Sequence, residues 1–202
     1  MRSMKLSDAE KELIRIDPDM GVLIKHNGPI VHEPREDYFA TLSGSIISQQ
    51  ISVKAAAKIF ERFKDATQLN PDHVVALSED DIKAVGLSGQ KSRYLHDLAD
   101  HFVQDSAIFN HLDTLPDDEV ILELTRVKGI GPWTAQMFLM FALVRPDVFA
   151  PDDRGIQLAV QKMYGLPAVP PRGELEAIAA KWSPYRTVAC YHLWHSLDNE
   201  PV

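Results

Sequence analysis

The sequence predicts an all-α protein. Three observations carry that prediction. Apolar residues recur at helical spacing: Phe39, Leu42, Ile46 and Ile47 follow Tyr38, and Val53, Ala56, Ile59, Phe60 and Phe63 mark Ser52 to Phe63. Helix-start signals recur along the chain, with capping serines, asparagines and aspartates followed by acids or prolines. No segment shows the period-two alternation of a half-buried strand, and no repeat or low-complexity tract is present.

The elements follow in order. Ser7 to Glu10 is a capping box that opens the first helix. Asp17-Pro18 opens a second, short one, with Gly21 and Gly28 expected to limit it, and Glu33-Pro34-Arg35-Glu36 is a linker. Helices are expected from Tyr38 and over Ser52 to Phe63. Asn70-Pro71 and Ser78 start two short helices, and Gly86 is a C-cap. Further helices are expected at Ser92 to Gln104, at Asp117 to Arg126, and from Pro132 to about Arg145-Pro146. Asp152 is expected to cap the next helix, which ends before Gly165. Leu166 to Pro171 is a stiff connection, and Ser183-Pro184 opens a last helix through Leu197.

Bulk properties narrow the function. The 202 residues suffice for one large or two small domains, and 45% hydrophobic with 25% charged residues is ordinary for a globular chain. No apolar run approaches the roughly 20 residues of a membrane span. Met1-Arg2-Ser3-Met4-Lys5-Leu6-Ser7-Asp8 turns charged too early for a secretory signal, so a bacterial cytoplasm or a nucleus is expected. The lone Cys190 excludes an internal disulfide and any four-cysteine zinc or iron–sulfur site. It reads as a small buried apolar residue. None of the histidines has metal-ligand spacing; His192 and His195 read as satisfied or exposed side chains. The net charge of −8 argues against a generic basic nucleic-acid binder. Yet Lys54, Lys58, Arg62 and Lys64 face only Glu61 between positions 51 and 64, and Lys91 and Arg93 follow Gly86-Leu87-Ser88-Gly89-Gln90. A local basic face on an acidic protein is the expectation.

The most informative stretch is Val127-Lys128-Gly129-Ile130-Gly131-Pro132-Trp133-Thr134-Ala135. It reads as a helix, a tight glycine turn and a second helix. Gly129 and Gly131 permit left-handed backbone and close approach of a phosphate. The helix from Pro132 offers bare N–H groups and a positive dipole end, a ready anion site. Thr134 could add a hydroxyl. Downstream, Pro151-Asp152-Asp153-Arg154 puts two carboxylates at another helix start, and their order of roles is not fixed by spacing. An anion site and a carboxylate together point to chemistry on a nucleotide.

Residues Leu124 to Ala135 resemble the helix-hairpin-helix of the HhH-GPD DNA glycosylase superfamily. Val148-Phe149-Ala150-Pro151-Asp152-Asp153 is similar to the loop that carries that family's aspartate. Ile46-Ile47-Ser48-Gln49-Gln50-Ile51-Ser52-Val53-Lys54-Ala55-Ala56 and Tyr191-His192-Leu193-Trp194 match as well. The resemblance runs over about residues 35 to 197 and is greatest to the bacterial 3-methyladenine DNA glycosylase II branch.

The resemblance implies that Asp153 is catalytic and Asp152 the helix cap. Cleavage of an N-glycosidic bond builds an oxocarbenium ion on the sugar. A carboxylate about 4 Å from it contributes about 4 kcal/mol at an effective dielectric near 20, or about three powers of ten in rate. Asp153 could also orient or deprotonate the attacking water. Bifunctional relatives carry a lysine nucleophile where this chain has Trp133. Lys128 lies too early in the hairpin to replace it, so a monofunctional enzyme leaving an abasic site is expected.

Purines alkylated at N3 or N7 are cationic, and aromatic faces favour them by roughly 0.5–2 kcal/mol. Trp133 and Trp194 match the family's pocket aromatics, with Tyr185 and Tyr38 as further candidates; Met137 and Arg154 stand where relatives carry tyrosines. Gln50 occupies the position of the side chain that fills the gap left by the flipped base. Gln49, Ser52, Lys54 and Lys128 are expected DNA-backbone contacts, and Lys91 with Arg93 a second phosphate clamp. Carbonyls of Thr125, Val127 and Ile130 match a monovalent cation site of the family. No other cofactor, and no iron–sulfur cluster, is expected.

The resemblance implies two helical subdomains with the active-site cleft between them. Residues 36–145 would form a central barrel, with the helix-hairpin-helix at about 120–145. Residues 1–35 and 146–202 would form the second subdomain. The N-terminal β-domain of longer relatives is not expected within these 202 residues. The function implied is excision of alkylated purines such as 3-methyladenine and 7-methylguanine from double-stranded DNA, by a monomer, in base excision repair. The location expected is the bacterial nucleoid, or the nucleus in a eukaryote. Excision of deaminated or etheno bases, a non-catalytic hairpin protein that binds damaged DNA, and a helical protein-interaction module are the alternatives.

Overall fold

The computed structural model describes residues 6–197, apart from the side chain of Glu79. Helices α1 (Asp8–Ile16) and α2 (Pro18–Asn27) come first. Then follow α3 (Tyr38–Ser48), α4 (Val53–Thr67), α5 (Pro71–Ala76), α6 (Glu79–Ala84), α7 (Gly89–Gln104) and α8 (Ser106–Phe109). After a 3-10 turn at Leu112–Thr114 come α9 (Asp117–Arg126), α10 (Pro132–Phe141), α11 (Arg154–Met163), α12 (Arg172–Ala180) and α13 (Arg186–His195). The described residues contain no strand, so the protein is all-α as expected.

Caps set most helix starts. Ser7 and Glu10 form the capping box of α1, and Ser78 with Asp81 that of α6. Asp17 caps α2 ahead of Pro18, Asn70 caps α5 ahead of Pro71, and Ser52 and Ser88 cap α4 and α7. Several expected boundaries are corrected. Gly21 lies inside α2, buried, where its missing side chain lets the Ile14 backbone approach to 3.4 Å of a Cβ position. Helix α7 begins a turn before Ser92, because Ser88 accepts the Lys91 N–H. Helix α10 ends at Phe141, ahead of Arg145. The last helix starts at Arg186 and ends at His195, after a cis Ser183–Pro184 peptide. Helix α12 has no counterpart in the sequence expectation. It starts straight after Pro170-Pro171 without a side-chain cap.

The chain divides into two compact units, residues 34–143 and residues 6–33 with 144–197 among those described. The terminal residues 1–5 and 198–202, including most of the charged start that spoke against a secretory signal, lie outside the described residues. In the 34–143 unit, α7 is the central helix, with α3, α5, α6 and α8 against it. Its core holds Leu42, Ile46, Phe63, Leu95, Leu98, Leu124 and Leu139, and Phe102 meets Phe39 and Phe109 at ring distances of 5.2 Å. Each such side chain contributes about 1.5–3 kcal/mol by leaving water.

In the other unit, α13 packs on α1, α2 and α11. Its core of Leu13, Met20, Ile24, Ile156, Val160, Trp182 and Leu193 encloses polar posts. Buried Asp17 accepts from the Met20 amide and the Trp182 indole at 3.2 and 2.9 Å, and from the Tyr164 hydroxyl. Burial opposes its charge, but those bonds outweigh it and hold the carboxyl below its usual range. Glu10 spans Ser7 N, Ile30 N and His192 Nε2 at 2.6, 3.0 and 3.2 Å. No described helix is long and apolar enough to cross a membrane.

Candidate active site

The hairpin lies in the 34–143 unit. Helix α9 stops at Arg126, the Ile130 N–H closes on the Val127 carbonyl at 3.1 Å, and α10 starts at Pro132. Gly129 has φ +85°, and a Cβ there would overlap the Tyr94 ring. Only glycine fits. Gly131 differs from expectation: its φ is −98°, and nothing lies within 4 Å of its Cβ position. It leaves open space at the mouth of α10, rather than permitting a left-handed turn. No side chain caps that helix, so its first-turn amides have no intrahelical acceptor and suit an anion. Trp133 is 40% exposed, whereas Thr134 and Met137 are buried.

Several expected DNA contacts have other work in this unit. The Lys128 ammonium and N–H both bond Asp97, at 2.6 and 2.8 Å, which ties the side chain to α7 and offsets its charge. Burial works against the Asp97 charge; bonds from Lys128 outweigh it and hold its carboxyl below the usual range. Ser52 caps α4 by accepting the Ala55 N–H at 3.3 Å. Lys91, expected in a phosphate clamp, donates from its ammonium to the carbonyls of Ile47, at 2.7 Å, and Gln49. Gln49 donates its side-chain N–H to the Gly129 carbonyl at 2.9 Å, tying loop 49–52 to the hairpin. At the loop tip, exposed Gln50 adopts φ +58°. Such a conformation is uncommon in a residue other than glycine and fixes the direction of the loop tip. Lys54, Lys58 and Arg62 are exposed at four-residue spacing on α4, a basic stripe running from that loop, and Arg93 is exposed on α7.

The carboxylate lies in the other unit. Buried Val148, Phe149, Ala150 and Pro151 lead to it, fastened by the Val148 N–H donating to Thr187 Oγ1 at 2.9 Å. Asp147 is gripped by Arg186 at 2.7 Å and Ser183 at 2.9 Å. Asp153, not Asp152, is the N-cap of α11, which corrects the sequence assignment. Its Oδ1 accepts the Ile156 N–H and the Trp194 indole N–H, each at 2.8 Å, and the residue is 7% exposed. Exposed Asp152 pairs instead with Arg172 at 2.8 Å. The reason is geometric: the cap must accept the amide three residues on, and only the Asp153 carboxylate points back over the helix end.

Trp194 is 2% exposed and therefore serves as an orienting donor to Asp153, not an open stacking face. Gly155 makes room for this contact, since a Cβ there would sit 3.0 Å from the indole and 3.1 Å from Asp153 Oδ1. Arg154 is exposed and donates to Gln157 at 3.3 Å. Tyr185 is half-buried at the start of α13, and Tyr38 packs edge-on against Phe138 at 5.4 Å. Sequence reasoning missed Tyr94, Asp97, Arg172 and Gly155. The first three act across long sequence separations, but a glycine in the first turn of a helix opposes helix propensity and could have been noticed. No group of three or more His, Cys, Asp or Glu among the described residues could hold a metal ion.

A hairpin whose second helix starts without a side-chain cap, with a basic stripe in the same unit, and a buried, rigidly held aspartate define a helical DNA-repair protein. The family model for HhH-GPD superfamily base excision DNA repair proteins matches residues 43–184, and the chain belongs to that superfamily. Within it the chain falls with the 3-methyladenine DNA glycosylases. It is similar to the crystal structure of a DNA-3-methyladenine glycosidase from Bacillus halodurans, with TM-score 0.85 and 31% identity over 94% of this chain and 89% of that one. It also resembles the Schizosaccharomyces pombe 3-methyladenine DNA glycosylase in complex with abasic DNA, with TM-score 0.81 and 29% identity over 95% and 97% of the two chains. A Saccharomyces cerevisiae DNA-3-methyladenine glycosylase is 36% identical over 78% of this chain, which spans 60% of that relative's length.

Proposed function

We propose that this protein is a monofunctional DNA glycosylase that releases alkylated purines of the 3-methyladenine and 7-methylguanine class from double-stranded DNA. The observation that carries this reading is the Asp153 carboxylate, buried and fixed through Oδ1 by the Ile156 amide and the Trp194 indole. A charge held that way needs no reorganisation as positive charge grows on the sugar.

The N-glycosidic bond breaks with its electron pair going to the base, so a cationic alkylpurine leaves neutral. Water adds to C1′ of the oxocarbenium ion and loses a proton, for which Asp153 is the acceptor, giving an abasic site. Exposed Trp133 supplies an aromatic face for the base, with Tyr185 beside α13 as a further candidate. No amine stands at position 133, so the strand stays intact. The hairpin amides and the stripe of Lys54, Lys58 and Arg62 hold phosphates, and Gln50 fills the vacated stack. The protein acts as a monomer and requires no redox or metal cofactor for the chemical step. A sodium or potassium ion suits the carbonyls of Thr125, Val127 and Ile130, which are hard oxygen donors. Val127 O spends one lone pair on the Ile130 N–H and keeps the other. Such an ion would strengthen the positive field at the hairpin.

The test is incubation with methylated duplex DNA beside Asp153→Asn, reading free bases by chromatography and strand breaks with and without alkali. Methylpurines from wild type alone, with breaks only after alkali, are expected. Breaks without alkali would overturn the monofunctional assignment. Release by neither protein would move the substrate to deaminated or etheno bases, or to non-catalytic damage binding.

A further inference from the structure

The described carbonyls at the end of α3 (Tyr38–Ser48) are all accounted for. Ser45 O accepts from its neighbour Ser48 Oγ at 3.0 Å, and Ile46 O and Ser48 O accept long 3.4 Å bonds from Gln49 N and Ile51 N. The remaining two, Ile47 O and Gln49 O, accept from the Lys91 ammonium, 2.7 Å away in the first case. That makes a lysine 42 to 44 positions downstream the firmest restraint on the segment leading to Gln50.

Lys91 is in the first turn of α7, where a cation opposes the helix dipole. Its side chain is half-buried, and burial lowers its pKa. Both circumstances cost the ammonium, and its bonds to the two carbonyls offset that cost. Beyond Gln49 the chain turns through Gln50 at φ +58°, and Gln49 itself is tied to Gly129 O of the hairpin turn.

We infer that Lys91 is a positioning residue for base flipping: it clamps the end of α3 so that loop 49–52 presents Gln50 in fixed register with the Gly129 turn. This inference rests on the glycosylase reading only for the consequence of insertion. The clamp itself is a property of the 34–143 unit. A general structural lysine would lower stability when removed. A positioning lysine leaves the fold and the phosphate contacts in place while Gln50 loses its aim.

The probe is a duplex with 2-aminopurine flanking a tetrahydrofuran abasic analogue, whose emission reports a side chain entering the vacant stack. Lys91→Met keeps the apolar stem and removes the charge, and Lys91→Arg restores a donor. Lys91→Met should lower the emission change and single-turnover base release by about tenfold, since small misplacements are costly at such sites. Duplex affinity and melting temperature should stay near wild type, Lys91→Arg should recover most of the signal, and Gln49→Ala should show the same split independently. Wild-type emission in Lys91→Met, or a loss that merely tracks melting temperature and is not rescued by arginine, overturns the proposal. If wild type releases no base from any alkylated duplex, the glycosylase reading fails while the emission still decides the clamp.

Discussion

The hairpin and the aspartate station are built from opposite materials. The hairpin at 127–134 presents main chain: one left-handed glycine, one open glycine, a proline and uncapped amides. The Asp153 station presents one side chain, immobilised by a buried indole 41 residues away and by the helix it caps. Main-chain grip tolerates any base sequence, as a protein scanning duplex DNA requires. A single buried charge serves chemistry, where placement decides the rate.

The largest effect expected separates these two roles. Asp153→Asn keeps an oxygen for the Ile156 and Trp194 donors, so the fold survives while the charge goes. Base release should fall about a thousandfold, matching about 4 kcal/mol of electrostatic stabilisation removed, with duplex affinity unchanged. Equal losses in binding and release would show that the two stations are not separable.

The two hairpin glycines offer the next contrast. Gly129→Ala forces a side chain into the Tyr94 ring at positive φ and should cost about 3 kcal/mol of stability, read by chemical denaturation. Gly131→Ala meets no atom within 4 Å and should melt like wild type, yet weaken binding of abasic duplex by occupying the phosphate's approach. Similar melting in both variants would mean that Tyr94 yields freely.

At the aspartate, Trp194→Phe removes one donor from Oδ1. It should slow single-turnover release by roughly thirtyfold, about 2 kcal/mol, while leaving abasic-duplex affinity intact. A change in affinity alone would return Trp194 to base stacking.

A smaller effect depends on pH and belongs to the aspartate unit. Burial lowers the pKa of His192, against the pull of Glu10. The folded protein therefore takes up this proton less readily than the unfolded chain. Below the ordinary histidine range near 6.5, the unfolded state binds a proton that the folded state refuses, and stability falls by up to about 1.4 kcal/mol per pH unit. Melting temperature should drop from about pH 7.5 to about pH 5.5 in wild type and less steeply in His192→Gln. Asp17 and Asp147, with lowered pKa values, lose stability only in the more acidic carboxylate range. Parallel slopes would remove His192 as the cause.

What was legible in the sequence follows the same division. Caps at Ser7, Asn70 and Ser78 and the first-turn proline at Pro132 are local signals, written within four residues of the helix start. The hairpin was legible for that reason. Asp153 was found through resemblance, but that it also caps α11 in place of Asp152 was not, because the Trp194 and Arg172 partners that orient the two carboxylates are distant in sequence. The Lys91 contacts to Ile47 and Gln49 were not legible, since backbone carbonyls carry no sequence signature. Helix α12 was hidden by its uncapped start after two prolines.

The smallest effect concerns the basic residues. Lys128 stands in the hairpin itself, yet its ammonium is committed to Asp97, which also raises its pKa. Lys54 is exposed in the first turn of α4, on the stripe with Lys58 and Arg62. Removing one cation that neutralises a phosphate should reduce the slope of log affinity against log salt by about 0.9. Lys54→Gln should approach that value. Lys128→Gln should fall short of it, because an ammonium already paired with Asp97 neutralises a phosphate less fully. A full unit from Lys128 would mean that DNA displaces Asp97 and that the hairpin grips with a side chain as well as with main chain.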